Sequence, residues 1–311
     1  MTDLAPRHDW RLRDPWPLDA ETIDAARARA LSARVVRILT RRGPVTRETL
    51  AARFDDPVAG LHDPGLLPDA VACRARIDRA IAAGERVLVF GDFDADGLTG
   101  LSILATAFRA LGLDTAVWVP SRQDEGHGLS LAAVEHARAD GRSLIVTADC
   151  GSTSHAEIAA AGAAGINVIV TDHHSLPPEL PQAVAIVNPH RADSRYPDPS
   201  LSGAGVAFKV AQLVLADHAD GPAIALGLAD LAVIGTVADV VSPEGENRAI
   251  IRLGLRRLSS SPRPGLAALL AIAGVSPERV DRETISHVLA PRINAPGRLG
   301  DARGVAALLL A

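Results

Sequence analysis

The sequence predicts an α/β protein with a doubly wound parallel sheet, an N-terminal extension and a C-terminal helical segment. Five apolar runs of strand length occur along the middle of the chain, and segments with helical periodicity separate the first four of them. The runs are continuously apolar, which is typical of parallel strands that are buried on both faces. Because strands that alternate with helices form right-handed βαβ units, we expect one parallel sheet with helices on both sides.

The predicted extension comprises residues 1–70. Within it, residues 18–39 have a helical pattern, and residues 54–69 are rich in Pro, Gly and Asp, which is typical of a loop. A predicted α/β domain over residues 71–246 follows. Its strands are expected at 87–90, 116–119, 144–147, 168–171 and 184–187, and the helices between the first four strands at 98–111, 129–139 and 154–164.

Helices are also predicted after the last strand, at 204–217 and 223–237. Residues 247–311 are expected to form further helices, with loops at 259–265 and 290–301. The last residues, "DARGVAALLLA", end inside an apolar periodic pattern without a capping residue. We therefore expect either a truncated chain or a helix that continues into another domain.

The charge and the aromatic content argue against a protein that coats nucleic acid. The 311 residues carry a formal net charge of −5, Lys209 is the only lysine, and aromatic residues make up 3% of the chain. Duplex-binding proteins are usually basic, and stacking of single strands needs aromatic side chains. A local cationic or metal-containing groove remains compatible with this composition.

The cysteines and the start of the chain predict a cytoplasmic protein. Cys73 and Cys150 have no CxxC spacing and are too few for a disulfide framework, which favours a reducing compartment. The start, "MTDLAPRHDW", lacks the apolar core of a secretory signal. The most apolar window, 223–241, contains Asp230 and Asp239, so we expect a buried helix and not a membrane span.

Acids and histidines follow three of the predicted strands. The carboxyl ends of parallel strands meet at one edge of the sheet, where ligands bind. The residues are Asp92, Asp94 and Asp96 after the first strand, Asp149 after the third, and Asp172, His173 and His174 after the fourth. The segment "GTVADVV" is expected to bring Asp239 beside them. Because converging carboxylates repel one another unless a cation lies among them, this pattern predicts a metal site.

The ligand types narrow the choice of metal. Carboxylates mixed with imidazoles suit Mn²⁺, Mg²⁺ or Zn²⁺, and an oxygen-rich set favours Mn²⁺ or Mg²⁺. One carboxylate can bridge two ions about 3.5–4 Å apart, which is the spacing of two-metal hydrolytic sites. We expect His173 to be a ligand, and His174 to form a hydrogen bond or contact a substrate phosphate.

Two other interpretations of "DFDADG" carry less weight. An EF-hand loop would need Glu at the twelfth position from Asp92, where the chain has Ile103. Asp92 or Asp96 alone could cap the helix that follows, which is a common role. Three aspartates beside further potential ligands favour the metal site.

Four motifs in this order resemble those of the DHH phosphoesterase superfamily: "GDFDADG", "TADCGS", "TDHH" and "GTVADVV". Four further segments resemble the bacterial RecJ branch: "LHDPGLLPD", "VPSRQDEGHGLS", "LSGAGVAFKV" and "PRINAPGRLGDA". The resemblance implies a cytoplasmic, metal-dependent exonuclease that digests single-stranded DNA from its 5′ end to 5′-mononucleotides in recombination and repair. It also implies two Mn²⁺ ions, with Mg²⁺ as the alternative, and repair partners such as a helicase or a single-strand-binding protein, without a membrane.

The resemblance also implies roles for individual residues. One metal ion would be bound by Asp94 and Asp149, and Asp149 would bridge to a second ion. The ligands of the second ion would be Asp96, Asp149, His173 and Asp239. Many relatives have a histidine four residues before the aspartate that matches Asp94, but this chain has Phe90 there, so Asp92 is expected to replace it as a ligand. The implied catalytic set is Asp94, Asp96, Asp149, His173, His174 and Asp239, with His174 facing the scissile phosphate.

Besides His174, three residues are expected to contact substrate. Arg298 in "INAPGRLGD" would bind a DNA phosphate, the alternative being an ion pair with Asp301. Arg122 and His127 follow the second strand and would line the substrate path, the alternative being solvated loop residues.

Two other functions stay open from the sequence. One is a small-substrate DHH phosphatase that acts on oligoribonucleotides, cyclic dinucleotides or pyrophosphate. The other is a truncated, non-catalytic binding protein, because the DHH-associated domain and OB-fold typical of RecJ-like proteins are not recognised in the sequence.

Overall fold

The computed structural model describes residue 11 and residues 13–311. The chain forms two compact units, Met1–Ala59 and Gly60–Ala311. Residues 1–10, on which the expectation about a secretory signal rests, lie outside the described residues. The domain limits expected at residues 70 and 246 stay a prediction.

The first unit contains three short helices. They are α1 (Ala20–Ala28), α2 (Ala33–Arg42) and α3 (Arg47–Phe54). Between the first two, Ala30 has a left-handed backbone conformation with φ 51°. Ser32 then caps α2, since its side chain accepts a hydrogen bond from the amide of Val35. The region predicted to be helical over 18–39 is therefore two helices separated by a turn.

The second unit is built around a five-stranded sheet in which all pairs of neighbouring strands are parallel. The strands are β1 (Arg86–Gly91), β2 (Asp114–Trp118), β3 (Leu144–Ala148), β4 (Asn167–Thr171) and β5 (Ala185–Val187). Their order across the sheet is β2-β1-β3-β4-β5. All five predicted strands are present, although β2 begins and ends earlier in the chain than predicted. The predicted doubly wound parallel sheet is confirmed.

Helices of several lengths surround this sheet. In chain order they are α4 (Ala70–Ala83), α5 (Ala95–Ala110), α6 (Leu131–Ala139), α7 (His155–Ala163), α8 (Gly203–Leu215), α9 (Gly221–Gly227), α10 (Ala229–Ala238), α11 (Gly245–Ser260), α12 (Pro264–Ile272), α13 (Arg282–Thr284), α14 (Ala290–Arg298) and α15 (Arg303–Leu310). Short 3₁₀ turns lie at Pro57–Gly60, Pro64–Leu66 and Pro277–Arg279, and a π-helical turn, Ile285–Leu289, joins α13 to α14.

Both faces of the sheet are covered by apolar side chains from helices. On one face, α5, α8 and α10 pack with strand residues such as Val89 and Val146. On the other face, α6 and α7 cover strand residues such as Phe90 and Ile145. Since successive strand residues point to opposite faces, both sets must be apolar, which explains the continuous apolar runs in the sequence.

Three predictions about the helical region are wrong. The helix predicted over 223–237 is interrupted, because α9 ends at Gly227 and α10 begins at Ala229. The loop predicted over 259–265 is shorter, since α11 continues to Ser260. The loop predicted over 290–301 is largely the helix α14, whose Ile293 is buried in the core. Packing of this side chain outweighs the low helix propensity of the nearby Pro and Gly residues.

Among the described residues, one stretch, which comprises α9 and α10, passes a simple test for a membrane span. Gly221–Ala238 is long and apolar enough by length and composition alone, and 61% of it is buried inside the structure. A core helix of a globular protein passes the same test, so the result is weak support for a span.

Candidate metal centre

The carboxyl edge of the sheet brings acids from distant segments into one row. In the register of the sheet, Gly91 of β1 pairs with Ala148 of β3, which pairs with Thr171 of β4. The residues that follow these three are Asp92, Asp149 and Asp172. The order of the strands reverses between β1 and β3, and such a switch point is where open α/β sheets bind ligands. The sheet itself therefore places these side chains at a binding edge.

His173 lies at the centre of the candidate site. Its Nε2 atom is 3.0 Å from Oδ1 of Asp149 and 3.7 Å from Oδ2 of both Asp96 and Asp239. The Nδ1 atom of His174 is 3.9 Å from the same oxygen of Asp149. Among the described residues, two groups have potential ligand atoms that all lie within 4.8 Å of one another. They are Asp149, His173 and His174, and Asp96, His173 and Asp239.

Two buried atoms at this centre lack hydrogen bonds. Asp149 Oδ1 and His173 Nε2 are close to each other, but their orientation makes no hydrogen bond, and neither atom has another hydrogen-bond partner in the described part of the chain. Their side chains are only 4% and 11% exposed. Leaving buried polar atoms unsatisfied is costly, and a cation between them would satisfy both. These residues therefore fit a divalent metal ion.

Burial opposes ionisation of the central carboxyl groups. Burial, followed by the charges of Asp239 and Asp94, raises the pKa of Asp96 to about 7. Burial also raises the pKa of Asp239 to about 6 and that of Asp149 well above its usual value. It lowers the pKa of His173 to about 4, so the imidazole is neutral and has a free lone pair. A cation would supply the countercharge that these acids need.

The N-terminus of α8 fixes Asp96 in this cluster. The amides of Gly203 and Ala204 donate hydrogen bonds of 2.6 and 2.9 Å to the two carboxylate oxygens of Asp96. A Cβ atom on Gly203 would overlap the carboxylate of Asp149, and one on Gly235 would overlap Asp96. Both positions therefore require glycine because the helix backbones approach the acids closely.

Asp172 orients His174, a role that the sequence analysis did not assign to it. The Oδ1 atom of Asp172 is 2.8 Å from Nδ1 of His174, and its Oδ2 atom accepts a hydrogen bond from the amide of Ser152. Burial raises the pKa of Asp172, but these hydrogen bonds outweigh burial and hold it at about 2. The hydrogen bond that His174 donates to Asp172 in turn raises the pKa of His174 to about 9. His174 is therefore an imidazolium whose Nε2 faces away from Asp172.

Asp92 and the loop after β2 meet around Phe93. Oδ2 of Asp92 is 3.1 Å from Nδ1 of His127. The ring centroid of His127 is 4.6 Å from that of Phe93, and the guanidinium of Arg122 lies 5.2 Å from the Phe93 centroid. The structure thus brings Arg122 and His127 to the acid-bearing edge. Asp92 is buried there but belongs to neither of the two ligand groups.

Asp94 lies beside the cluster and caps a helix. Its side chain accepts a hydrogen bond of 3.0 Å from the amide of Gly97 at the start of α5. The capping role considered for Asp92 or Asp96 therefore belongs to Asp94. The negative charge of Asp94 contributes to the raised pKa of both Asp96 and Asp149.

Helix α14 supports the loop after β1 from the other side. Oδ1 of Asn294 accepts a hydrogen bond of 2.7 Å from the amide of Ala95, the first residue of α5. Arg298 is exposed and lines a cavity of about 310 Å³ together with Asn294. Asp301 pairs with Arg303 at 2.9 Å, and no ion pair between Arg298 and Asp301 is observed among the described residues. Sequence reasoning missed Asn294, because only the fold brings it to α5.

The only lysine is part of a buried network. Nζ of Lys209 is 2.9 Å from Oε1 of Glu246, and both side chains are 0% exposed. Glu246 also accepts hydrogen bonds from the Tyr196 hydroxyl and the His62 amide. All partners of this ion pair are satisfied, so Lys209 joins α8, α11 and two loops and has a structural role.

Comparison with known proteins defines the class of this chain. Residues 86–236 match the model of the DHH family, N-terminal domain. This segment contains the whole sheet and every member of the central cluster except Asp239. Residues 86–236 therefore form an N-terminal domain of the DHH family.

Within this family, the chain is similar to RecJ proteins. It is 35% identical over 308 residues to the single-stranded-DNA-specific exonuclease RecJ of Bacillus subtilis (strain 168), a match over 99% of this chain and 38% of that protein. A crystal structure of exonuclease RecJ bound to manganese has 36% identity and a TM-score of 0.70, over 78% of this chain and 61% of that one. RecJ in complex with Mg²⁺ from Thermus thermophilus has 29% identity and a TM-score of 0.61, over 96% of this chain and 39% of that one.

These matches confirm the resemblance that the four motifs indicate. They also show that the chain spans well under half the length of the Bacillus subtilis relative.

Proposed function

We propose that the chain is a metal-dependent exonuclease that hydrolyses single-stranded DNA from the 5′ end to 5′-mononucleotides in recombination and repair. The observation that carries this proposal is the pair of unsatisfied buried atoms on Asp149 and His173, surrounded by acids at the switch point of the sheet. The names of the RecJ relatives support the substrate. The RecJ structures with manganese and Mg²⁺ support Mn²⁺ as the cofactor, with Mg²⁺ as the alternative.

We propose that the acids and His173 hold two metal ions. One position would be held by Asp96, Asp149, His173 and Asp239. The other would be held by Asp94 and Asp149, with Asp92 as a further ligand. When bound, the ions supply an activated water and positive charge beside the phosphoryl oxygens.

The remaining side chains would bind and orient the DNA. His174, kept protonated by Asp172, would donate a hydrogen bond from Nε2 to a non-bridging oxygen of the scissile phosphate. Arg298 on α14 would bind a phosphate as a charge-assisted donor. Arg122 and His127, which contact Phe93 next to the acids, would line the path of the strand.

Replacing Asp149 by Ala tests the central role of this residue. The substitution removes the oxygen nearest to His173, so we expect Mn²⁺-dependent release of mononucleotides to fall by about 10³-fold or more. The measurement is the appearance of labelled mononucleotide from a single-stranded oligonucleotide. Retention of wild-type activity by a variant with an intact circular dichroism spectrum would contradict the bridging role.

The direction of DNA degradation and the class of substrate need a separate assay. Oligonucleotides labelled at the 5′ or the 3′ end distinguish the two polarities, because only the end that is attacked first releases labelled mononucleotide at once. A panel of single-stranded DNA, short RNA, a cyclic dinucleotide and pyrophosphate tests the small-substrate phosphatase. Lack of turnover on the whole panel with Mn²⁺ would favour the non-catalytic binding protein.

The expectations about organisation and location are part of this proposal. We propose a catalytic α/β domain over 71–246, preceded by the extension 1–70 and followed by a helical segment over 247–311. We also propose that the protein acts on single-stranded DNA in the cytoplasm, together with a helicase or a single-strand-binding protein.

A further inference from the structure

Val240 follows the acid Asp239 and has an unusual backbone conformation. It lies just after the C-terminus of α10 and has φ 61°, in the left-handed region. Its side chain is 86% exposed. Four described residues other than glycine have a positive φ, namely Ala30, Asp69, Asp149 and Val240. Of these, Val240 alone is β-branched, and β-branched residues are the ones that this conformation disfavours most.

The fold itself gives no reason for valine at this position. A helix commonly ends with glycine or asparagine in the left-handed conformation, because these residues adopt it with little strain. An exposed valine gains almost nothing from burial, so the strain is not offset within the described structure. Strained residues of this kind occur at functional sites, where the side chain contacts a ligand.

The surroundings of Val240 point to the substrate side of the metal centre. Val240 lines two adjoining cavities, of about 500 and about 310 Å³. The smaller one also contains Pro291, Asn294 and Arg298, and its other lining residues are mainly alanine and valine. An apolar wall beside an exposed arginine complements a nucleotide, which has an apolar base face and an anionic phosphate. The preceding residue, Asp239, belongs to the central ligand cluster.

We propose that Val240 contacts the face of an unpaired base in the nucleotide next to the scissile phosphate, while Arg298 binds the phosphate of the same strand. This inference rests on the proposed function, because it takes single-stranded DNA as the ligand. Val240 is then a residue that determines substrate specificity, and its backbone strain is the cost of presenting a branched apolar side chain at that point.

The first test uses Val240→Gly and measures thermal unfolding without metal or DNA. Glycine removes the strain and loses little buried surface, so we expect the Tm to rise by about 2–4 °C. Ile272→Ala is the matched control, because Ile272 is 83% exposed on α12, which contributes no residue to the metal centre. The control should leave the Tm unchanged. A lower Tm for Val240→Gly would overturn the claim that the conformation is strained.

The second test measures binding of a 5′-phosphorylated, fluorescein-labelled oligothymidylate by fluorescence anisotropy in Ca²⁺. We expect Val240→Gly to raise the Kd about 5-fold or more, and Ile272→Ala to leave it unchanged. Oligonucleotides that carry one abasic residue at each of the first three positions complete a double-mutant cycle. At one position, the missing base should weaken binding to the wild-type protein but not to Val240→Gly.

The outcomes separate this inference from the proposed function. Equal penalties for the abasic residue in both proteins at all three positions, or no binding of DNA at all, would overturn the contact of Val240 with a base. Turnover of the same oligonucleotides in Mn²⁺ is measured in parallel. If Val240 and one base position are energetically coupled in binding but the oligonucleotide is not turned over, the nuclease function is rejected and the contact of Val240 with a base is kept. If the oligonucleotide is turned over but no position is coupled to Val240, the nuclease function is kept and the contact is rejected.

Discussion

The two edges of the sheet neutralise their acids in different ways. At the carboxyl edge, the described ion-pair partners of Asp96, Asp149 and Asp239 are histidines, and none is lysine or arginine. At the amino edge, each acid pairs with an arginine. The pairs are Arg76–Glu85, Arg86–Asp114 and Arg142–Asp140.

The pKa values of the acids follow this difference. Burial raises the pKa of Asp96 and Asp239 at the carboxyl edge. At the amino edge, burial also acts on Glu85, but the hydrogen bonds from Arg76 and Ser143 outweigh it and lower the pKa of Glu85. Arginine side chains therefore balance the charges of the acids at the amino edge, whereas the acids at the carboxyl edge need a cation from outside the chain.

The largest effect is expected when one acid is removed from the carboxyl edge. Asp239→Asn loses an oxygen that lies 3.7 Å from His173, so Mn²⁺-dependent turnover should fall by about 10²–10³-fold. In metal-free buffer the Tm should be equal to or higher than that of the wild type, because asparagine is neutral and burying it does not incur the penalty of burying an ionised carboxylate. Nucleotide release and calorimetric unfolding measure the two effects.

Glu85→Gln is the matched substitution at the amino edge and should behave in the opposite way. It weakens the partner of Arg76, whose side chain is 4% exposed, so the free energy of unfolding should fall by about 1–3 kcal/mol. Turnover should stay near the wild-type value. The contrast between the edges would be lost if both variants lost activity and stability together.

The loss of turnover expected for Asp172→Asn is smaller than that for Asp239→Asn. This substitution tests the hydrogen bond between Asp172 and His174 at the carboxyl edge. Asparagine cannot stabilise a protonated His174 as Asp172 does, so kcat should fall by about 10–100-fold. The affinity for Mn²⁺, measured by calorimetry, should change little, because Asp172 belongs to neither ligand group. An equal loss of metal affinity would instead make Asp172 part of the ligand set.

The last effect concerns stability, and its change between pH 5 and pH 7 is expected to be the smallest of these differences. Mn²⁺ at about 100 times its Kd should stabilise the folded protein by about 2.7 kcal/mol. The folded pKa of Asp96, about 7, lies above its usual value of 3.8, so the contribution of Asp96 to metal-free stability falls as the pH rises from about 4 to 7. Because protons compete with metal, the rise in Tm caused by Mn²⁺ should be larger at pH 7 than at pH 5. An equal rise at both pH values would argue against metal binding by these carboxylates.

Much of the fold could be predicted because its signals are local. Strands buried on both faces need runs such as "VLVF" and "LIVT", and these runs are visible without any knowledge of their partners. Their parallel arrangement then places Asp149 and His173 at the same edge. The central cluster thus follows from the order of strands along the chain.

What the sequence did not reveal depends on contacts between distant segments. Asn294 supports Ala95 from 199 positions further along the chain, and no local pattern marks that contact. The Pro and Gly residues around Ile293 predicted a loop, but burial of Ile293 in the core stabilises a helix there. The hydrogen bond from His174 to Asp172 depends on side-chain orientation, which only the structure defines.

The pairing of Gly91 with Ala148 fixes the positions of the ligands that follow these two residues, and so the distances between them. A slip of β3 along β1 by one residue would move Asp149 by about 3.3 Å and turn it to the opposite face of the sheet. Ligand separation therefore cannot be tuned in small increments through the strands. Evolution toward an ion of another radius would have to remodel the turns beyond the strand ends, such as the one in which Asp149 has φ 64°.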